Sequence, residues 1–169
     1  MDGSRKKQLF AAIGLISVNF QCLEKSMEFF AWALIGEDQE IGQIVTSQIS
    51  FNRLCDLIGS LFRYRAGGSG LVKELDGLIK RASKVAEERD RVIHSNWAGD
   101  LESSILRVKI TAKRETGLKH QYEYTDPNDL LKIGGSIEQV WKDLMGFIKK
   151  AENEGIITPT SRQIKTPAA

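Results

Sequence analysis

The chain has 169 residues, of which 41% are hydrophobic and 27% are charged, and this balance is typical of one globular domain. Its 24 lysines and arginines exceed its 22 acidic residues by only two. Bulk electrostatic attraction to nucleic acid is therefore excluded, and such binding would need a local patch. No apolar run approaches the ~18 residues that a membrane-spanning helix requires, so we expect a cytoplasmic protein with no membrane contact.

The first predicted element is a long helix from about Ser4 to Ile35. Its apolar residues recur at alternating intervals of four and three: Leu9, Ile13, Ile16, Phe20, Leu23, Met27, Phe30 and Leu34. This near-heptad spacing fits either a long bundle helix or the seam of a dimer, and a compact monomer also remains open. A short helix is predicted around 41–46, and Ser50 is a suitable N-cap for a third helix.

A fourth helix is predicted from Leu71 to Ser95, and one position of its apolar stripe is charged. The stripe consists of Leu71, Leu75, Leu78, Ala82, Val85, Arg89 and Val92. A guanidinium stays charged at ordinary pH and is costly to bury alone, so Arg89 needs a compensating partner. Glu24 is the carboxylate nearest the apolar line of the first helix. We predict that it faces Arg89 across the bundle in a bidentate ion pair.

A two-residue period then predicts a β-hairpin at about residues 104–125. Its basic and aromatic residues are Arg107, Lys109, Lys113, His120, Tyr122 and Tyr124. Together they could hold single-stranded nucleic acid by charge and stacking. The commoner arrangement, which we expect here, is a solvated hairpin whose aromatic face packs on the bundle.

The last helical region is predicted to begin at Asp126–Pro127, with aspartate as the N-cap. Gly134–Gly135 is predicted to interrupt it, and Ser136 then caps a final helix that ends at Gly155. The predicted fold is mainly α. It is an up-and-down bundle of four or five helices in one domain (1–155), with the hairpin inserted before the last helix and a flexible tail at 156–169.

The end of the fourth helix carries a candidate site. Asp90 and His94 lie one turn apart, so the aspartate can orient the imidazole. The helix terminus favours the protonated imidazole, and these conditions suit a general acid or base near neutral pH. Arg89 lies about 140° around the helix from His94, so a site between two helices or two subunits would unite them more easily. A purely structural alternative is a buried ion pair beside a helix-terminal histidine.

The motif Arg89-Asp90-x-x-x-His94 resembles that of HEPN (higher eukaryote and prokaryote nucleotide-binding) domains. In that family an arginine, often followed by asparagine or aspartate, precedes a histidine by four to six intervening residues. The preceding bundle, with a long helix bearing Glu24, is similar as well, and the resemblance covers about 4–97 and the last helix. It implies a helical bundle that dimerises and brings two motifs together. Many members are metal-independent ribonucleases of toxin–antitoxin, antiviral or RNA-processing systems.

The resemblance also implies roles for the motif residues. A ribose 2′-hydroxyl attacks the adjacent phosphate, His94 acts as general base or acid, Arg89 binds the phosphate and Asp90 sets the geometry. Glu24 has a supporting role. In one subgroup an antitoxin modifies a tyrosine two positions after the histidine, but this chain has Asn96 there. Further candidates for RNA contacts are Arg91, Asn96 and Lys109.

The expected function is that of a homodimeric endoribonuclease without metal or cofactor. It would act on RNA as a toxin or defence effector, with a composite site at the dimer interface and an antitoxin protein as a further partner. The alternative is a catalytically silent HEPN-like dimer module that binds a nucleotide, an RNA or a protein. A third interpretation is a structural dimerisation module whose charge network only specifies packing.

Overall fold

The computed structural model describes residues 3–36, 39–98, 105–113, 115 and 117–158. In these ranges the chain forms five helices and a three-stranded sheet. The elements are α1 (Gly3–Ile35), α2 (Gln39–Thr46), α3 (Phe51–Ala66), α4 (Leu71–Ile93), β1 (Asn96–Ala98), β2 (Ile105–Lys113), β3 (Gly117–Thr125) and α5 (Pro127–Asn153). The predicted fold, a mainly α bundle with an inserted hairpin, is confirmed.

The long helices α1 and α3 run in the same direction, because Phe20 packs on Phe51 and Phe30 packs on Phe62. Ion pairs between Glu74 and Lys150 and between Arg81 and Asp143 show that α4 and α5 are antiparallel. The sheet connects these two helices, so it lies at the end of the bundle where α4 finishes. Within the described ranges, no helix combines the length with the apolar character that a membrane span requires.

The core contains a three-ring cluster contributed by α1, α3 and α5. Phe30, Phe62 and Phe147 are almost fully buried, and their ring centroids are 5.3–6.1 Å apart in tilted and edge-on arrangements. Aromatic rings attract each other at this spacing in addition to the hydrophobic gain of burial. The predicted apolar stripes of α1 and α4 also face this core. Their buried members are Leu9, Ile16, Phe20, Leu23, Met27, Phe30 and Leu34 in α1, and Leu75, Leu78, Ala82, Val85 and Val92 in α4.

The predicted interruption of the last helix at Gly134–Gly135 is wrong, because α5 is continuous. A Cβ atom on Gly134 would lie 2.9 Å from the Cδ2 atom of Leu15, and Asn19 Nδ2 donates a hydrogen bond to the Gly134 carbonyl at 3.0 Å. The glycine therefore permits a close approach of α1 and α5. Ser136 is no N-cap, since its hydroxyl donates to the carbonyl of Lys132 inside the helix.

The two ends of α5 differ in how well they match the prediction. Asp126 is the N-cap, as expected, and its side chain accepts a hydrogen bond from the Asn128 amide at 2.8 Å. The predicted tail begins too early. The Ile156 amide donates to the Ala151 carbonyl at 3.0 Å, and Ile157 is buried in the core. Residues 159–169 lie outside the described part of the chain.

The sheet has one strand that the sequence did not predict. β1 lies between the predicted fourth helix and the predicted hairpin. It pairs with β2, and β2 pairs with β3, all antiparallel. Directly opposed residues of antiparallel strands share a face. One face, here called the inner face, carries Trp97, Ile105 and Arg107 and lies towards the bundle, because Ile105 is buried and Trp97 packs on the core. Only 13% of the Arg107 side chain is exposed, and its guanidinium binds Glu123.

The opposite face, the outer face, is exposed, so the expectation that the aromatic residues pack on the bundle is wrong. It is formed by Asn96, Leu106, Val108, Ile110, Ala112, Leu118, His120, Tyr122 and Tyr124. Tyr122 is 63% exposed and Tyr124 is 77% exposed. The register puts Arg107 and Lys109 on the inner face, so they do not share a surface with the aromatic residues. The side chain of Lys113 lies outside the described part.

Replacement of two helical glycines by alanine should change stability in opposite directions. A Cβ atom on Gly42 would lie 2.8 Å from the Cδ1 and Cγ atoms of Trp32, whose Nε1 donates to Thr46 Oγ1 at 2.8 Å. Because this buried indole is fixed, Gly42→Ala should lower the free energy of unfolding by about 1–3 kcal/mol. Gly77, in the middle of α4, has open space around it. Gly77→Ala should therefore raise the free energy of unfolding by about 0.5–1 kcal/mol. Thermal unfolding followed by circular dichroism measures both, and effects of equal sign would contradict the packing of α2 on α1.

Candidate functional site

His94 ends the α4 helix and presents its side chain to solvent. It is the C-cap residue, with φ −93° and ψ 12°, and its amide donates to the Asp90 carbonyl at 3.0 Å. The chain then turns into β1, and Trp97 Nε1 donates to the carbonyl of Val92 at 3.2 Å, which fixes this turn. The imidazole is therefore accessible to a ligand or to a second copy of the chain.

Arg89 lies one helical turn deeper and is largely enclosed. Its side chain is 26% exposed, and its Cζ atom lies 4.6 Å from the centroid of the Phe20 ring on α1. Phe20 in turn packs against Phe51 at the start of α3, with 5.0 Å between the ring centroids. A planar guanidinium stacked on an aromatic ring gains a cation–π attraction and loses freedom to rotate. Three helices thus hold the guanidinium in one orientation.

The hydrogen bonds of Arg89 are incomplete. Nη1 donates to Asp90 Oδ1 at 2.6 Å, whereas Nε is buried without a hydrogen-bond partner. Among the described side chains, this Nε is the single buried polar atom left unsatisfied. Such an orphan donor costs free energy. An unsatisfied buried donor calls for an explanation, and a functional role of the residue is one such explanation.

The predicted bidentate pair between Glu24 and Arg89 is wrong. No ion pair joins these two residues among the described side chains, and the guanidinium binds Asp90 instead. The aspartate is the neighbour of Arg89 in the same helix, and Phe20 already occupies the face of the guanidinium. Glu24 is nevertheless close. Burial raises the pKa of Glu24, and the positive charge of Arg89 opposes this shift without cancelling it.

Asp90 does not orient His94 as we expected. Its carboxylate accepts the hydrogen bond from Arg89, and within the described ranges no ion pair links it to the imidazole. Asp90 therefore positions the guanidinium and not the histidine. Glu24 and Glu28 on α1 add negative charge to this end of α4, although Lys25 pairs with Glu28 at 2.5 Å.

The three further candidates for RNA contacts are all exposed, but they do not form one surface. Arg91 is on the last turn of α4, and Asn96 starts β1 opposite Val108, on the outer face. Lys109 lies opposite Gln121, on the inner face. The aromatic residues of the outer face were recognisable from the alternation along β3, but their exposure was not expected.

The raised pKa of Glu24 predicts a pH dependence of stability. The folded protein holds this proton to a higher pH than an unperturbed glutamate, which titrates at 4.5, so the free energy of unfolding falls as pH rises from about 4.5 to the native pKa. Glu24→Gln should remove this decline and should not destabilise the protein at pH 7. Urea unfolding at several pH values tests this. Glu138→Gln, which removes a surface carboxylate paired with Lys142, is the control. A loss of stability in Glu24→Gln at pH 7 would contradict the prediction.

Comparisons of the chain with protein-family models, with curated proteins and with solved structures found no match. Within the described residues, no group of three or more histidine, cysteine, aspartate or glutamate residues is placed to hold a metal ion. A functional assignment for this chain therefore depends on the motif and on the geometry at the end of α4.

Proposed function

We propose that this chain is a metal-independent endoribonuclease of the HEPN type, acting in the cytoplasm as a toxin or defence effector. One observation carries the proposal. An exposed histidine, His94, lies five residues along the chain from an arginine that is stacked on a ring and anchored by a carboxylate. This combines an imidazole, which can accept and donate a proton, with a fixed positive charge for a phosphate.

The proposed reaction uses the ribose of the substrate as nucleophile. The 2′-oxygen forms a bond to the adjacent phosphorus, and the bond from phosphorus to the 5′-oxygen breaks. The 2′-hydroxyl proton passes to a base, and an acid gives a proton to the leaving 5′-oxygen. The products are a 2′,3′-cyclic phosphate and a 5′-hydroxyl end. Arg89 would stabilise the charge that develops on the phosphate.

Two proton-transfer groups are easier to supply from two copies of the chain. The sequence contains only two histidines, His94 at the motif and His120 in the hairpin. A homodimer that juxtaposes two motifs would provide one His94 as base and the other as acid. We therefore include a composite site between two copies in the proposal. An antitoxin protein could silence it by covering the exposed His94.

A catalytically silent HEPN-like dimer module is the second candidate, and the local charges favour it. Asp90 already occupies one donor of Arg89, and Glu24 lies nearby. Both carboxylates weaken the attraction of this arginine for a phosphate. Such a module would bind a nucleotide, an RNA or a protein without cleaving it.

The ends of the products distinguish the two candidates. The purified protein is incubated in chelator with a defined RNA and with a DNA oligonucleotide of the same sequence. A ribonuclease of the proposed kind leaves 2′,3′-cyclic phosphate and 5′-hydroxyl ends on the RNA and leaves the DNA intact, because DNA lacks the attacking hydroxyl. A binding module retains the RNA without producing fragments. Products with 5′-phosphate ends would contradict the proposed chemistry.

A further inference from the structure

The outer face of the sheet has no covering element in the described part of the chain, although it carries a row of aromatic rings. We propose that this face binds the bases of single-stranded RNA and guides the strand to the motif at the end of α4. This inference rests on the proposed function, since it names how the same site would recognise its substrate.

The row consists of His120, Tyr122 and Tyr124 on β3. Alternate residues of a strand lie roughly 7 Å apart and point to the same face, so the three side chains follow one another along this face. The centroids of His120 and Tyr122 are 6.3 Å apart, and both tyrosines are mostly exposed. Successive unpaired bases can stack on such rings whatever their sequence. Val108, Ile110 and Leu118 extend the apolar surface beside the row.

The charge of the hairpin favours a polyanion. Residues 105–125 contain five lysines and arginines but only two acidic residues, an excess of three, whereas the whole chain has an excess of two. The net positive charge of the protein therefore resides in this segment. Arg107 is paired with Glu123, but Lys109 and Lys119 are exposed on the opposite side of the hairpin from the aromatic row. Their charges make the potential around the hairpin positive, and this potential attracts a polyanion.

The same charge and the small area argue against a second copy as the occupant. Three strands of up to nine residues cover roughly 14 by 30 Å, or about 400 Å², by ordinary strand spacings. A stable protein interface buries about 800 Å² on each partner. Two such faces would also bring two positively charged hairpins together. A few nucleotides fit this surface better than a second sheet does.

The outer face is continuous with the motif. Asn96, Val108 and Tyr122 lie side by side across the three strands, on the outer face. The distance from the first to the last is about 10 Å, since neighbouring strands are about 4.8 Å apart. Asn96 follows His94 by two residues and is exposed. An RNA strand whose bases stack on the aromatic row can therefore reach the His94 imidazole within a few nucleotides.

The test measures binding separately from cleavage. Fluorescence anisotropy of a labelled 12-nucleotide oligouridine is recorded with the His94→Ala protein as background. Tyr122→Ala and Tyr124→Ala should each weaken binding about 5-fold or more, because one stacked base is lost. Tyr124→Phe keeps the ring and should retain the affinity. The matched control is Tyr64→Ala, which removes the third tyrosine, 88% exposed on α3, and should change nothing. Duplex RNA should bind more weakly than the single strand.

Several outcomes would overturn the inference. These are unchanged affinity in both alanine variants, no binding by the His94→Ala protein, or an equal loss in Tyr64→Ala. Sedimentation of the same proteins must show the same mass. If the tyrosine variants convert a dimer to a monomer, the face is a self-association surface and the inference fails. If the intact protein cleaves RNA but binding does not depend on the tyrosines, this inference alone is contradicted. If binding depends on the tyrosines but the intact protein cleaves no RNA, the proposed catalysis is contradicted instead.

Discussion

Replacement of His94 by alanine is expected to lower the rate of RNA cleavage by about 100-fold or more, since a positioned general acid or base contributes 10²–10⁴-fold. The fold should survive, because the side chain is exposed and the structure gives it no side-chain hydrogen bond in the described part. Substitutions of this kind usually change the free energy of unfolding by less than about 0.5 kcal/mol. Single-turnover cleavage at saturating RNA, with unfolding by urea on the same samples, measures both quantities.

Glu87→Ala is the control for His94→Ala, because it removes an exposed polar side chain from the same helix. It should cleave at the rate of the intact protein. Equal cleavage by the intact protein and His94→Ala would show that this imidazole transfers no proton in the reaction. A loss of cleavage accompanied by unfolding would assign the histidine a structural role.

Replacement of Arg89 by alanine should affect both cleavage and stability. Cleavage should fall by about 100-fold or more, as when one donor to a developing oxyanion is removed. The free energy of unfolding should fall by about 1–3 kcal/mol, because Phe20 loses its cation and Asp90 its partner. The positive charge that lowers the pKa of Glu24 would also be lost. Denaturant unfolding and single-turnover cleavage give the two values.

Two further variants separate the roles of Arg89. Arg89→Lys keeps a charge but lacks the planar fork, so stability should recover in part and cleavage should stay low. Adding Glu24→Gln to Arg89→Ala removes the carboxylate that was left uncompensated. This double variant should be more stable than Arg89→Ala alone, but it should cleave RNA no faster. If cleavage also returned, Arg89 would serve only to neutralise Glu24, and its proposed contact with the phosphate would be wrong.

The helices were predictable from the sequence because their signal is local. Intervals of four and three place apolar residues on one face of a helix wherever the helix later packs, as the stripe from Leu75 to Val92 shows. The continuity of α5 was not predictable in this way. Gly134 has the local signature of a break, and its reason is the close approach of Leu15 from another helix. Ile157 likewise joins the core after a glycine that predicts a stop.

The candidate site was predictable only in outline. The spacing of Arg89 and His94 placed them at the end of α4, but the choice between Glu24 and Asp90 as partner depends on side-chain conformations and on the position of Phe20. Which face of the sheet lies against the bundle depends on β1. This strand has only three residues and is too short to show a period in the sequence. Once β1 pairs with β2, the register turns the aromatic row outward.

The most direct test of the ribonuclease proposal is incubation of a mixed RNA pool with the protein in chelator and without added metal, beside His94→Ala at the same concentration. Both proteins must first be shown to be folded and of the same mass. A metal-independent nuclease that uses this motif predicts fragments from the intact protein and none from the variant. Intact RNA after incubation with the folded protein, or equal fragments from both proteins, would contradict it.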